Sequence, residues 1–238
     1  MVKILTLLTC FFLGPILNFH SPVSSSILEE EVMMVNAENK FMDRVVNNQN
    51  NPESEMPTHE VLQYGIKGYS QLSNTGEIQQ GKPLTIIDYS LPSNKKRIWV
   101  IDMESGTILY HDLVSHGRNS GELFARKFSN VNSSYMSSLG FYFTGETYHG
   151  KHGYSLRLDG IEKEFNGNAR ERAIVIHGAD YAKEEFVHQT GRLGRSLGCP
   201  ALPEKAVSQV INLIKEKSLI FIYGNDPEYL NKSEFLNA

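Results

Sequence analysis

Cysteine is scarce in this sequence: Cys10 and Cys199 are the only two in 238 residues. Cys10 lies in an apolar N-terminal leader, so the mature chain carries one thiol and no intramolecular disulfide. A run of the ~20 apolar residues that span a bilayer is also missing. The apolar stretch from Ile4 to Leu17 is too short for that. It follows one early lysine and precedes the small-residue zone Ser21–Ser26, which predicts a secretory signal peptide over 1–25 rather than an anchor. Lysine and arginine form no block, and the net charge is -4, which excludes nucleic acid as the expected partner. There is no HExxH pattern. His149 and His152 have ligand spacing, and His116 or His177 could join them, but no carboxylate completes a zinc hydrolase motif. The sequence therefore implies no metal and no cofactor.

What is present falls into two zones. Ile27–Asn48 repeats apolar residues at helical spacing (Leu28, Val32, Val35, Phe41, Met42, Val45), with Glu29–Glu31 near its start. A polar, proline-marked linker over 47–57 follows, then a second helix over 58–72 that Gly65 and Gly68 weaken. The two helices read as an N-terminal appendage. From Leu84 onward strands dominate: 84–90, a hairpin over 97–117 with its turn at Glu104–Gly106, and short strands at 140–145, 154–158 and 173–177. Arg118–Ser138 is a long aperiodic connection of the kind that carries function. A helix starts near Pro203 with Val207, Val210, Ile211 and Ile214 on one side, and Leu219–Tyr223 is a last core strand. The tail over 225–238 reads as polar and loose. With one substantial late helix and few crossovers, the pattern predicts a mainly β domain, a sandwich or partly closed barrel.

The chemistry gathers in Ile174–Ala201. His177 ends a strand-like run, and Cys199 follows in the glycine-bracketed Ser196-Leu197-Gly198-Cys199-Pro200. An unpaired thiol in an exported protein calls for a reason, and a histidine aimed from a strand supplies one: nucleophile and base. Gly198 permits a positive φ before the thiol, and the amides around Gly198 and Cys199 could form an oxyanion hole. Arg192 and Arg195 bring positive charge, either to favour thiolate or to bind a substrate carboxylate. The opposing reading of SLGCP is a tight turn around a packed cysteine. His116 reads as a cleft-lining residue or a support for His177, and Asp180 and Glu184 as surface charge.

Several motifs then resemble one family in the same order: Val114-Ser115-His116-Gly117, Phe128-Ser129-Asn130, Ser138–Tyr142, Gly150-Lys151-His152-Gly153, His177-Gly178-Ala179 and Gly194–Ala201. Over about residues 60–223 the chain is similar to the murein L,D-transpeptidase catalytic domain (YkuD-like), in the variant branch with an SLGCP cysteine motif. The resemblance implies a β-sandwich catalytic domain over 58–224, preceded by the helical segment and linker over 26–57. It implies Cys199 as nucleophile, His177 as base and acid, and the Gly178 carbonyl as the group that orients the histidine. His116, Arg195, Ser196 and Gly198 would contact the substrate, the peptidoglycan stem peptide, in the periplasm or cell envelope. Leu197 and Pro200-Ala201 replace the histidine and polar residues that flank the cysteine in the commoner branch, so the clamp on the acyl donor falls to Arg195 or, failing it, Arg192. Two other functions fit the same residues: an L,D-carboxypeptidase or other cell-wall cysteine peptidase, and a non-catalytic wall-binding scaffold.

Overall fold

The computed structural model describes residues 25–52 and 56–237. All but the last residue of the expected signal segment lies outside them. No helix among the described residues is long and apolar enough to cross a membrane.

Eight strands build the domain: β1 (Leu84–Asp88), β2 (Ile98–Ile101), β3 (Ile108–Asp112), β4 (Gly140–Gly150), β5 (Gly153–Gly160), β6 (Val175–Ala179), β7 (Ala201–Pro203) and β8 (Leu219–Tyr223). They lie in the order β3-β2-β1-β8-β4-β5-β6-β7, a mixed sheet in which β1–β8 and β6–β7 are the parallel pairs. β1, β2, β6 and β8 are buried at every position, as strands covered on both faces must be. The outermost strands are joined through the chain just beyond β3: Ser115 N–H donates to the Ala201 carbonyl at 2.8 Å. The sheet thus curls over into a sandwich whose two ends meet at this bridge.

Among the described residues, five helices accompany the sheet: α1 (Ser25–Val46), α2 (His59–Asn74), α3 (Glu184–Thr190), α4 (Glu204–Ile214) and α5 (Pro227–Lys232). α4 buries Val207, Val210, Ile211 and Ile214, the stripe read from the sequence, against β5 and β6. α2 begins where Thr58 caps the Val61 N–H, and it lies flush on β1 with Val61, Leu62, Ile66, Tyr69 and Leu72 buried. Two glycines explain the closeness: a Cβ at Gly65 would sit 3.0 Å from Ile86 of β1, and one at Gly68 would sit 2.3 Å from the ring of Phe141 on β4. So α2 is part of the core, and its glycines serve packing where they cost helix propensity.

α1 starts at Ser25, which leaves no acidic residue in its first turn. Among its described side chains, Val45 is buried while Val32 and Val35 are exposed. The polar linker after it is anchored. Asn51 Nδ2 donates to the carbonyls of Val45 and Gly106, and its Oδ1 accepts the Ile108 N–H, tying α1 to the β2–β3 turn.

Two expectations are corrected. β4 and β5 form one long hairpin with a bulge near Thr144–Thr147, because exposed Glu146, Thr147 and His149 continue the ladder beyond the apolar stretch. A 3-10 turn at Asp180–Ala182 and α3 fill the space between β6 and the cysteine turn. The tail is not loose. Asp226 caps α5, and Tyr229, Ser233 and Leu236 are buried. They close on Glu162, a buried carboxylate that accepts from the Phe141 N–H (2.7 Å), the Tyr229 hydroxyl (3.2 Å) and the Ser233 hydroxyl. Burial pushes its pKa up, and these three donors pull it down.

Glu162→Ala leaves those donors without their acceptor, and buried unpaired groups cost ~1–3 kcal/mol each. The expected outcome is a loss of about 3 kcal/mol in urea unfolding, with Ser233→Ala losing less because it removes one donor and leaves the carboxylate paired.

Candidate active site

The cysteine turn is seated by the same join that closes the sheet. Ser196 N–H donates to the His116 carbonyl at 3.0 Å, and Arg118 N–H to the Ser196 carbonyl at 2.8 Å. The Ser196 hydroxyl donates to the Cys199 carbonyl at 2.6 Å and accepts the Gly198 N–H at 3.0 Å. The serine therefore shapes the turn from within, and the Gly198 amide is already committed to it. Gly198 has φ +129, and a Cβ there would lie 2.9 Å from the Met136 carbonyl oxygen and 3.3 Å from Arg172 Nη2. Glycine is required on both counts. Ser137 completes the floor, its hydroxyl donating to the Gly198 carbonyl at 3.1 Å and accepting the Gly117 N–H at 3.0 Å.

Cys199 is half-buried. Its thiol donates to the Ala173 carbonyl at 3.6 Å. Burial pushes the thiol pKa up; the Val175 N–H, the Arg172 charge and its own amide work against that rise. Ala173 has φ +52, the left-handed region, where a non-glycine residue costs roughly 1–2 kcal/mol. Strain of this kind gathers at functional sites, and here it turns a carbonyl onto the sulfur.

His177 stands on β6 in register with Ala201 of β7, two residues past the cysteine. It is 3% exposed. Its Nδ1 lies 2.9 Å from the Gly178 carbonyl oxygen, so Nδ1 carries the proton and Nε2 keeps its lone pair. Burial lowers its pKa, the Gly178 carbonyl opposes that, and a neighbouring His152 lowers it further. Thiol and imidazole are thus both held in their neutral forms, each with a separate hydrogen-bond partner.

His116 is fully buried. Arg97 Nη2 donates to its Nδ1 at 2.8 Å, so its Nε2–H donates to the Gly121 carbonyl at 3.2 Å. Both ring nitrogens are occupied within the protein. Burial, then the Arg97 charge, drives its pKa down to about 3. It supports the Gly117–Gly121 chain and offers a substrate no ring atom. Arg97 itself, buried and lowered to about 10 by desolvation, also donates to the Val114 and Leu91 carbonyls.

The arginines are redistributed relative to the sequence reading. Arg192 and Arg195 both face Glu122, which leaves little charge for the thiol or for a substrate carboxylate. The cation beside the sulfur is Arg172. Its guanidinium donates to the Met136 and Ser129 carbonyls, both at 2.6 Å, and to the Ser138 hydroxyl at 3.1 Å. It pins the long connection over 118–138 against the cysteine turn. The other histidines disperse: His149 packs on Tyr154 and His152 on His177. Among the described residues no group of three His, Cys, Asp or Glu side chains could hold a metal ion.

Arg172→Met removes the charge that lowers the thiol pKa. Iodoacetamide alkylation of Cys199, followed by mass spectrometry against pH, is expected to shift to higher pH, whereas Arg195→Met leaves it in place.

The family model for the L,D-transpeptidase catalytic domain matches residues 53–223. A search of curated proteins returned no match. Among solved structures, an L,D-transpeptidase from Mycobacterium smegmatis is 13% identical, with TM-score 0.38, covering 60% of this chain and 59% of that one. The L,D-transpeptidase from Stackebrandtia nassauensis is 14% identical, with TM-score 0.37 and coverages of 79% and 76%. The catalytic domain of the Enterococcus faecium L,D-transpeptidase is 10% identical, with TM-score 0.38 and coverages of 61% and 100%. The chain spans about six-tenths of the length of the Mycobacterium smegmatis structure. With most of its length matched by the family model, this chain belongs to the L,D-transpeptidase catalytic-domain family.

Proposed function

We propose that this protein is a peptidoglycan L,D-transpeptidase of the cell envelope, exported by its N-terminal signal and working through an acyl-enzyme on Cys199. The observation that carries the reading is the strand register that sets His177, buried and with Nε2 free, opposite Ala201, two residues past Cys199 on its glycine turn.

Both groups start neutral, so the base acts during attack rather than before it. The sulfur leaves the Ala173 carbonyl, gives its proton to His177 Nε2, and adds to the carbonyl between meso-diaminopimelate and D-alanine of a tetrapeptide stem. The Cys199 amide, which with the Val175 N–H acts on the sulfur, is the donor assigned to the developing oxyanion. The Gly198 amide is held by Ser196 and acts through the shape of the turn. The C–N bond then breaks, and the imidazolium returns its proton to the departing D-alanine amine. A thioester remains. An amine of a second stem adds to it, loses a proton to His177, and expels the thiol, which is reprotonated. The Gly178 carbonyl bears the imidazolium charge, in the place a carboxylate holds in a Ser-His-Asp triad. Ser196 and Gly198 form the wall that meets the acyl donor, Arg195 stands at its rim with Glu122, and His116 acts from below by holding the loop.

Incubation with a carbapenem is expected to add one drug mass to the full chain and none to Cys199→Ser. With tetrapeptide stems the protein should release D-alanine and form a crosslinked dimer. D-alanine without dimer identifies a carboxypeptidase, and neither product in the presence of intact fold overturns the catalytic reading. His177→Ala should lower kcat/KM by ~10²–10⁴.

The pH profile follows from the neutral pair. The base is active above its own pKa, which lies below the ordinary value of 6.5, and the thiol keeps its proton up to a pKa above the ordinary 9.0. kcat/KM is therefore expected to hold a plateau from below 6.5 to above 9.0. An ion-pair mechanism would instead give a bell with its optimum between a low thiol and a high histidine value.

A further inference from the structure

One titratable side chain outside the proposed chemistry touches it directly. His152 stands at the tip of the β4–β5 hairpin and is solvent-exposed. Its ring lies across that of His177, with centroids 4.4 Å apart and planes inclined by 32°. His177 beneath it is 3% exposed. The outer imidazole covers the inner one.

We propose that His152 is a positioning residue for His177, fixing the tilt of its imidazole by ring contact and shielding it from water. The catalytic meaning of this role rests on the transpeptidase reading above; the contact itself does not.

The need for it follows from what else holds His177. The strand fixes its Cα, and the Gly178 carbonyl fixes the direction of Nδ1. One in-plane hydrogen bond still lets a ring roll about the bond axis. A second ring packed on its face removes that freedom and aims Nε2. The support for His152 is stiff. β4 and β5 are paired out to Gly150–Gly153, and β5 is in turn paired to β6 at Leu156–Ile176 and Arg157–Val175. Near the tip, Arg157 lies over Tyr148 at 4.6 Å, and His149 packs on Tyr154 at 5.2 Å. The hairpin that presents His152 is thus fastened to the strand that presents His177.

The contact has an electrostatic side. A protonated His152 opposes a second positive charge on His177 and so favours its neutral, basic form. The other groups near His177 do not supply this. The Gly178 carbonyl favours the cation, the Cys199 thiol is neutral, and the Arg172 guanidinium is turned to the Met136, Ser129 and Ser138 oxygens. Glu204 and Val207 of α4 pack behind Gly178, on the opposite face of β6. On the hairpin, Lys151 and His149 are exposed, with His149 engaged by Tyr154.

The test compares His152→Ala and His152→Phe in the full chain, with circular dichroism to confirm the fold. His177 is followed by imidazole NMR titration, and stem-peptide turnover is measured alongside. The alanine variant should lower kcat about tenfold with little change in KM. Phenylalanine keeps a ring on the face without a charge and should recover most of that loss. The His177 titration should move to higher pH in both, further in alanine, which removes cover as well as charge. Wild-type kcat with an unmoved His177 titration in His152→Ala overturns the proposal, as does failure of phenylalanine to recover activity. If even the wild-type chain turns over no stem peptide, the functional reading fails. The NMR titration then decides the contact, and an unmoved His177 in His152→Ala overturns it.

Discussion

Two backbone hydrogen bonds between Ser115 and Ala201 carry more than their own energy, which is about 1 kcal/mol each in net terms. They join the chain beyond β3 to β7, the far edge of the sheet, and so turn an open ribbon into a closed sandwich. Cys199 lies two residues before Ala201 and His177 lies opposite Ala201, so the seam and the site share one set of coordinates. The second bridge, Gly117 to Ser196, braces the other side of the turn. Position at the sulfur is therefore set by strand register, which cannot slip by one residue without moving every side chain to the wrong face.

Around this seam two arginines, Arg97 fully buried and Arg172 half-buried, organise the aperiodic chain. Arg97 and Arg172 are surrounded by carbonyl oxygens of aperiodic chain, which would otherwise need water or secondary structure to satisfy them. A guanidinium with five donors can serve several such oxygens at once, where lysine offers a single point. Each arginine then has a consequence one bond further on. Arg97 fixes the tautomer of His116 and through it the loop at Gly121. Arg172 holds the connection over 118–138 against Gly198 and lends its charge to the thiol. Ordering a long loop by such cations leaves the face toward solvent open for a ligand.

Much of this was legible in the sequence, for reasons that can be named. β1, β2, β8 and α4 have apolar patterns strong enough to declare themselves, and buried strands admit few alternatives. Cys199 and His177 stood out because one is among only two cysteines in the chain and the other ends a strand. Arg172 did not, because nothing local separates it from Arg170, which pairs on the surface with Asp159 and Glu146. Only the fold turns one outward and the other under the cysteine. Glu162 and α5 were hidden likewise: a six-residue helix with one buried tyrosine has too little periodicity to be read, and its partner is a carboxylate in a loop. His152 was weighed for metal binding because its spacing from His149 is visible, whereas its contact with His177 exists only once the hairpin folds over β6.

The strand order also bears on how the chain reaches this state. β1 sits at the middle of the sheet, yet its parallel neighbour β8 is the last strand in the sequence, with Leu84 opposite Leu219. The β1–β2–β3 meander can assemble as soon as it is made, but its inner edge stays open until the rest of the domain has been synthesised. Closing so long a loop precedes any reward from the central pair, which makes folding slow and late. Because β8 lies between β1 and β4, the two halves of the sheet are joined only when that strand arrives.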